Sequence, residues 1–274
     1  MNGAGFSGVT VLGGSGFLGG HLMRHLLRAG QDCAAPGRGD ASVFSRPLGH
    51  VVYAIGLTAD FRTRPLETAE AHVCLLRRLL QEGDFLSLTY LSSTRVYAGA
   101  ASTAETAALR VNPNAPGDLY NLTKLTGEAL CLHGGRRGAK VLRLSNVVGL
   151  RPAADTFIDQ LLDEGRRSGR VTLRTTPASR KDYLWVDDAA EMIARVAVSP
   201  ESGIFNIASG EATENRAVVD ELRRTLGYEA VFAPDAAAWD FAAIDIAKAQ
   251  AAFGFAPRRF GDFFPEFLRA WRDH

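Results

Sequence analysis

Residues 9–22 read VTVLGGSGFLGGHL, an apolar run interrupted by Gly13, Gly16 and Gly19 at intervals of three. That order constrains the chain strongly, because a strand must end in a tight turn and a helix must start inside it. Glycines so spaced let the turn close, let an anionic group approach the backbone, and let helix pack on strand. Leu18, Leu22 and Leu26 recur every four residues, giving one apolar helical face, and Gly30 stands where a helix would stop. The helix beginning near Phe17 offers unpaired N–H groups and a partial positive charge to phosphate. A dinucleotide pyrophosphate suits such a turn, and a plain glycine loop is the alternative.

The rest of the first half alternates between the two periods. Strands are expected at 9–12, 33–35, 51–55, 85–91 and 140–144, and helices at 67–81 and 119–132. This order predicts an α/β fold, a Rossmann-type doubly wound parallel sheet with helices on both faces. After Gly149 the pattern loosens, with helices expected at 156–167, 188–198 and 217–226 and strands at 171–174 and 204–207. The alanine-rich stretch 236–252 is compatible with helix. The expected organisation is a dinucleotide-binding domain over 1–150, to which 183–209 returns. A smaller C-terminal substrate-binding portion, 151–274, would cap the sheet without folding independently.

Tyr120 and Lys124 stand four apart in YNLTK, on one face of the expected helix. A free tyrosine, with a pKa near ~10, is a poor base at neutral pH. An adjacent ammonium and an oxidised nicotinamide would favour the phenolate, so Tyr120 could exchange a proton with a substrate oxygen while hydride moves. Ser93 follows a strand at the carboxyl edge of the sheet, where ligands of such folds bind, and could hold the reacting oxygen. The alternatives are a surface Tyr–Lys pair and a serine that caps its own backbone. After the second strand comes Ala35-Pro36-Gly37-Arg38 with no acid before Asp40. Arg38 suits a 2′-phosphate, which favours NADP(H) over NAD(H), although it could also stack on adenine or face water.

Composition excludes other classes. A net charge of +1 gives no footprint for nucleic acid or a membrane surface. No apolar run reaches the ~20 residues of a membrane-spanning helix, and the start, MNGAGFSG, lacks a signal-peptide pattern. Cys33, Cys74 and Cys131 are widely spaced and read as reduced core thiols of a cytoplasmic protein, with no metal site expected.

The chain resembles the extended short-chain dehydrogenase/reductases, the NAD-dependent epimerase/dehydratase group acting on nucleotide sugars. The likeness runs through GGSGFLG, VVYAIG, PLETAEAHV, LSSTRVY, YNLTK, RLSNVVG, KDYLWVDDAA and FNIASGEAT to DIAKAQAAFGFAP. It implies Ser93, Tyr120 and Lys124 as the catalytic set. It implies cofactor contacts at Gly13, Gly16, Phe17, Leu18, Gly19, Tyr53, Ala54 and Gly56, and Asn146 as a contact to the substrate's pyrophosphate. Departures are informative too. Tyr53 replaces a histidine, and His72 stands where an asparagine often joins the triad, read here as packing at the helix start. Thr94 and Arg95 occupy positions where 4,6-dehydratases carry an Asp-Glu pair, which argues against dehydration and makes them substrate-facing candidates. The usual pyrophosphate arginine aligns with Lys181, beside Arg180. Within the basic cluster of Arg166, Arg167, Arg170, Arg174, Arg180 and Lys181, Arg174, Arg180 and Lys181 are the phosphate-facing candidates. The stretch 38–51 is short for the family, so the adenine pocket should be open.

The resemblance implies an NAD(P)-dependent epimerase or ketoreductase of a nucleotide-linked sugar. A reductase of a small carbonyl compound and a non-catalytic NAD(P)-binding sensor or scaffold are the alternatives. It also implies a homodimer built on helices 67–81 and 119–132, with Leu75, Leu79, Leu130 and Cys131 either there or in the core.

Overall fold

The computed structural model describes residues 6–58, 60–136, 138–150 and 156–274. Residues 1–5 of the amino-terminal reading, and the expected boundary at 151, lie outside them. The first half runs β1 (Val9–Leu12), α1 (Phe17–Arg28), β2 (Cys33–Ala34), β3 (His50–Tyr53), α2 (Pro65–Ala69) and α3 (Leu75–Glu82). It continues with β4 (Ser87–Ser93), α4 (Asp118–His133), β5 (Ala139–Leu144) and β6 (Asn146–Val148). Next come α5 (Phe157–Ser168), β7 (Arg170–Thr175), β8 (Arg180–Lys181), β9 (Tyr183–Trp185), α6 (Val186–Val198) and β10 (Gly203–Ile207). The chain ends with β11 (Thr213–Glu214), α7 (Asn215–Leu226), β12 (Glu229–Ala237), α8 (Ala247–Phe253) and α9 (Phe260–Arg272).

Six strands form one parallel sheet in the order β10-β5-β4-β3-β1-β2. Side chains alternate across a strand, and here both faces are apolar. Val9, Val11, Val52, Leu91, Leu142 and Leu144 enter one core with α1, α6 and α8. Leu12, Val51, Tyr53, Leu88, Tyr90 and Val141 enter the other, with α3 and α4. A separate cluster gathers Ile158, Leu161, Leu162, Val171, Leu173, Val218 and Leu222 with four phenylalanines of α9.

Several boundaries differ from the expected ones for physical reasons. β4 covers Ser87–Ser93 rather than 85–91, since Ser87 and Ser92 find buried partners. The Ser87 hydroxyl donates to Ala197 O at 2.9 Å, that of Ser92 to Glu128 Oε1 at 2.5 Å, and Leu86 stays 61% exposed. β3 ends at Tyr53 rather than residue 55. Between α2 and α3 the helix continues through a π-helical turn, Glu70–Cys74, whose extra residue lets Ala71 and His72 both face inward. His72 therefore lies mid-helix, not at the helix start. The stretch 236–252 is helical only in α8; its first two residues end β12, and 238–246 is irregular. Alanines supply propensity without a pattern there, while Arg180 and Ser179 hold Trp239 through backbone and hydroxyl hydrogen bonds of 3.0 and 2.9 Å. α9 was not anticipated. Of the cysteines, all unpaired, only Cys131 is buried; Cys33 is half-buried and Cys74 exposed.

Between β2 and β3 the chain makes only a 3₁₀ turn, Ala41–Phe44, capped by Asp40 accepting the Ser42 N–H at 3.0 Å. Among the described residues no strand pairs beyond β2, so the sheet ends on a two-residue edge.

One polar contact joins the layers. Glu128 of α4 and Arg143 of β5 form an ion pair at 2.6 Å, both side chains 4% exposed. Arg143 Nη1 donates to the Tyr97 hydroxyl at 2.7 Å, which donates to Asn206 Oδ1 at 2.8 Å. Arg143→Met strands a buried carboxylate and should cost about 3–5 kcal/mol. Urea unfolding should show that loss, and a Glu128→Leu/Arg143→Met protein should be less destabilised than the single variant.

Candidate active site

The glycine turn is built by close approach. Gly13 has φ +91°, and a Cβ there would stand 2.8 Å from Ala54 O. A Cβ on Gly19 would stand 2.2 Å from Gly13 O, so α1 could not sit so close to the turn with any other residue. Gly16 differs: its Cβ would meet only Gly13 O, at 3.3 Å, leaving the turn open on that side. No side chain caps α1, and no acid stands in its first turn. An open backbone cradle at an uncapped helix N-terminus fits the pyrophosphate of a dinucleotide. Leu18 contributes its position in that first turn while its side chain packs on the core, and Phe17 stacks edge-on against His21 at 5.1 Å. Arg38 is exposed in the turn after β2, and among the described residues no ion pair engages it. Tyr53 goes elsewhere: it is fully buried, and its hydroxyl donates to Ala71 O at 2.6 Å inside the core.

From the turn, a line of contacts leads to the expected catalytic set. Gly13 abuts Ala54, and a Cβ on Gly56 would stand 3.0 Å from His72 Nε2 and 3.4 Å from Lys124 Nζ. Lys124 Nζ donates to Leu91 O at 2.9 Å and lies 5.8 Å from the Tyr120 ring centre. The Ser93 hydroxyl lies close enough to the Tyr120 phenol to favour its ionised form. Its Oγ also accepts the Arg95 N–H at 3.2 Å. Ser93, Tyr120 and Lys124 are thus brought together at the carboxyl end of β4.

The electrostatics depart from expectation in one respect. Burial raises the Tyr120 pKa, and the opposing influences are the Ser93 hydroxyl and the charge of Arg95, rather than Lys124. Burial pulls Lys124 down to about 7, against the Glu128 carboxylate. The phenol is therefore a proton donor at neutral pH, beside an amine whose own proton is labile. His72 is also neutral, lowered to about 3 by burial and by Lys124. Its Nε2 accepts the Leu57 N–H at 3.3 Å, which leaves the proton on Nδ1 to donate to Thr123 Oγ1 at 2.8 Å. The Thr123 hydroxyl donates to Tyr120 O at 3.0 Å. His72 thus ties the loop after β3 to the helix carrying Tyr120.

On the other flank, Thr94 is buried and Arg95 half-buried, its guanidinium 5.9 Å from the Tyr120 ring centre. Lys181 sits 3.6 Å from the Phe157 ring centre, lowered to about 8 by burial and by Arg95. Asn146 lies on β6 with its amide donating to Asp182 O at 2.7 Å. Arg174 is exposed, and Arg180 is held by Asp240 at 2.8 and 3.0 Å, which leaves Lys181 as the cation nearest Arg95 among the expected set. Phe61 and Arg62 went unnoticed in the sequence. Phe61 is 2% exposed, with its ring centre 5.4 Å from that of Tyr120, and Arg62 lies over it at 4.5 Å. They fall in an irregular loop with no periodicity to mark them. Among the described residues no group of His, Cys, Asp and Glu is placed to hold a metal.

Lys124 makes a signed prediction. Its folded-state pKa lies below the unfolded value, so burying its charge destabilises the ligand-free protein fully below pH 7. The penalty fades as pH rises from 7 to the ordinary lysine value of 10.5. Lys124→Met should therefore melt above the wild type at pH 6, and the gap should shrink as pH rises from 7 to 10. A separate check concerns His72: NMR titration should find it an Nδ1–H tautomer with no protonation between about pH 5 and 8.

The profile of the NAD dependent epimerase/dehydratase family matches residues 9–208. A dTDP-6-deoxy-L-talose 4-dehydrogenase (NAD(P)(+)) of Kitasatospora kifunensis is 26% identical over 294 aligned positions, covering 92% of this chain and 91% of the relative. Two solved structures show the same fold. MoeE5 in complex with UDP-glucose and NAD has a TM-score of 0.79 at 23% identity, with 97% of this chain and 98% of that one covered. The NAD-dependent NDP-hexosamine 5,6-dehydratase TunA has a TM-score of 0.79 at 19% identity, with the same coverages. With the profile spanning the glycine turn, the Ser93–Tyr120–Lys124 set and the returning strand β10, the chain belongs to the NAD dependent epimerase/dehydratase family.

Proposed function

We propose that this chain is an NAD(P)-dependent oxidoreductase or epimerase of a nucleotide-linked sugar, working at a carbon that alternates between alcohol and ketone. The carrying observation is the unbroken line of contacts from Gly13 through Ala54, Gly56 and Lys124 to Tyr120. Bound nicotinamide supplies or accepts the hydride. Tyr120 gives a proton to the substrate oxygen or takes it back, and Ser93 holds that oxygen. Lys124 lies between the Gly56 loop and Tyr120, where it can bind nicotinamide ribose and compensate the phenolate. Thr94 and Arg95 offer no carboxylate to remove a proton from carbon, which supports oxidoreduction or epimerisation over dehydration. Asn146 and Lys181, with exposed Arg174, would face the pyrophosphate. The 4-dehydrogenase relative supports the oxidoreductase form of the reaction.

A second reading, reduction of a small carbonyl compound without a nucleotide, draws on Lys181 standing alone where a guanidinium fork would grip a pyrophosphate. Affinity for bare UDP or dTDP would reject it. The exposed Arg38 favours NADP(H) over NAD(H), and the short β2 edge would leave the adenine end open. In the proposed homodimer the outer faces of α3 and α4 meet, with exposed Cys74 and Leu132 at the contact and Leu79 and Cys131 kept in the core. Among the described residues no helix is long and apolar enough to cross a membrane, and a cytoplasmic location is part of the proposal.

Equilibrium titration tests the cofactor reading: NADPH should bind more tightly than NADH, and Arg38→Ala should cost NADPH about tenfold while sparing NADH. Tyr120→Phe should lower kcat by about 10²–10⁴-fold with cofactor affinity kept. Binding of neither dinucleotide would overturn the enzymatic reading.

A further inference from the structure

Arg62 and Arg95 converge with no carboxylate in direct ion pairing among the described residues, Asp118 acting on Arg95 only from a distance. A Cβ on Gly117 would stand 3.4 Å from Arg95 Nη2 and 3.7 Å from Arg62 Nη2, so the two guanidiniums meet over the residue preceding α4, three before Tyr120. Both lie over Phe61, Arg62 at 4.5 Å and Arg95 at 5.4 Å from the ring centre. Arg95 donates from Nη2 to Gly117 O at 3.3 Å, while its buried Nε meets no acceptor. Burial and Arg62 disfavour the charge on Arg95 and outweigh the favourable influence of Tyr120 and Asp118, and Lys181 adds a third cation nearby.

The neighbouring carboxylates make their hydrogen bonds with neutral donors rather than with these guanidiniums. Asp118 accepts from the Asn112 N–H at 2.8 Å and from Asn121 Nδ2 at 3.0 Å. Asp182 accepts the Ser209 and Gly210 N–H groups, each at 2.9 Å. Some other arginines of this chain are paired, Arg143 with Glu128, Arg180 with Asp240, Arg258 with Asp188 and Arg259 with Glu211. Among the described residues, Arg62, Arg95 and Lys181 form no ion pair. Like charges crowded beside a reacting tyrosine, with a sealed donor left over, describe a site completed by an anionic ligand.

The position of that anion follows from the backbone. Arg95 is two residues from Ser93, whose Oγ accepts the Arg95 N–H, so its guanidinium reaches the ring that bears the reacting oxygen. Lys181, on β8 near Asn146, is the group left for the pyrophosphate. Paired planar guanidiniums match a carboxylate better than a neutral hydroxymethyl group. We infer that the sugar substrate carries a carboxylate, as in a nucleotide-linked uronate or its keto form, and that Arg95 and Arg62 select for it. This rests on the nucleotide-sugar reading above.

Calorimetric titration of the NAD(P)+-saturated protein separates the two claims. Bare UDP and dTDP are titrated first, and then the glucose and glucuronate conjugates of whichever nucleotide binds more tightly. The glucuronate conjugate should bind at least about tenfold more tightly than the glucose conjugate. Arg95→Gln should abolish that preference while leaving the bare nucleotide and the glucose conjugate within about twofold, and exposed Arg62→Gln should reduce it in part. Equal affinity of the wild type for both conjugates would overturn the carboxylate site and leave the nucleotide-sugar reading standing. An Arg95→Gln protein that loses bare nucleotide as strongly as glucuronate conjugate would reassign Arg95 to the pyrophosphate and also overturn it. Binding of neither nucleotide would remove both.

Discussion

The buried pair of Glu128 and Arg143 is the contact on which the site's geometry depends. It stands between α4 and β5, and each partner reaches a catalytic neighbour. Glu128 lies one helical turn beyond Lys124 and accepts the hydroxyl of Ser92, the residue before Ser93. Arg143 extends through Tyr97 to Asn206 of β10, which binds the returning strand to the centre of the sheet. Two ions out of water are unfavourable alone, and only a saturated set of hydrogen bonds makes such a pair tolerable. Here that requirement fixes the spacing of β4, α4 and β5, and hence the mutual position of Ser93, Tyr120 and Lys124.

The sequence conveyed the sheet well because its signal is local. Alternating Val9 and Val11 against Leu12, or Leu88 and Tyr90 against Leu91, name both the strand and the face. The glycine turn was equally legible, since no other residue could replace Gly19 without meeting Gly13 O. What escaped was nonlocal. The boundary of β4 was set by buried partners of its hydroxyls, and the π-helical turn by which side chains needed to face inward together. α9 has a clear apolar face in Phe260, Phe263, Phe264 and Phe267, but it lies beyond the last motif, DIAKAQAAFGFAP.

The site divides in the same way. Ser93, Tyr120 and Lys124 belong to motifs whose spacing carries their meaning, and the structure gathers them. Tyr53 shows the opposite: a position in a recognisable segment, with a side chain that the pleat sends to the far face of the sheet. Phe61 and Arg62 sit in an irregular loop, and only folding brings them to Tyr120. His72 was read as a packing residue at a helix start. It is a neutral hydrogen-bond bridge inside a continuous helix, and the burial that neutralises it also lowers Lys124 beside it.

Charge is distributed unevenly around Tyr120, and that unevenness frames the chemistry. Toward the glycine turn stand a neutral histidine and an amine poised near neutrality, so that flank bears little fixed charge. On the opposite flank stand Arg95, Arg62 and Lys181, without a direct ion pair among the described residues and with only Asp118 acting on Arg95 from a distance. Burial alone drives the tyrosine proton to stay on, and Arg95 works against it. An anion seated on Arg95 would cancel part of that positive influence and raise the phenol further, so that Tyr120 holds its proton more tightly and is a weaker acid while an acidic substrate occupies the site. Under the proposed chemistry the protonated phenol is the form from which reduction of a ketone starts, whereas oxidation of an alcohol needs the phenolate, which Arg95 and Ser93 favour against burial.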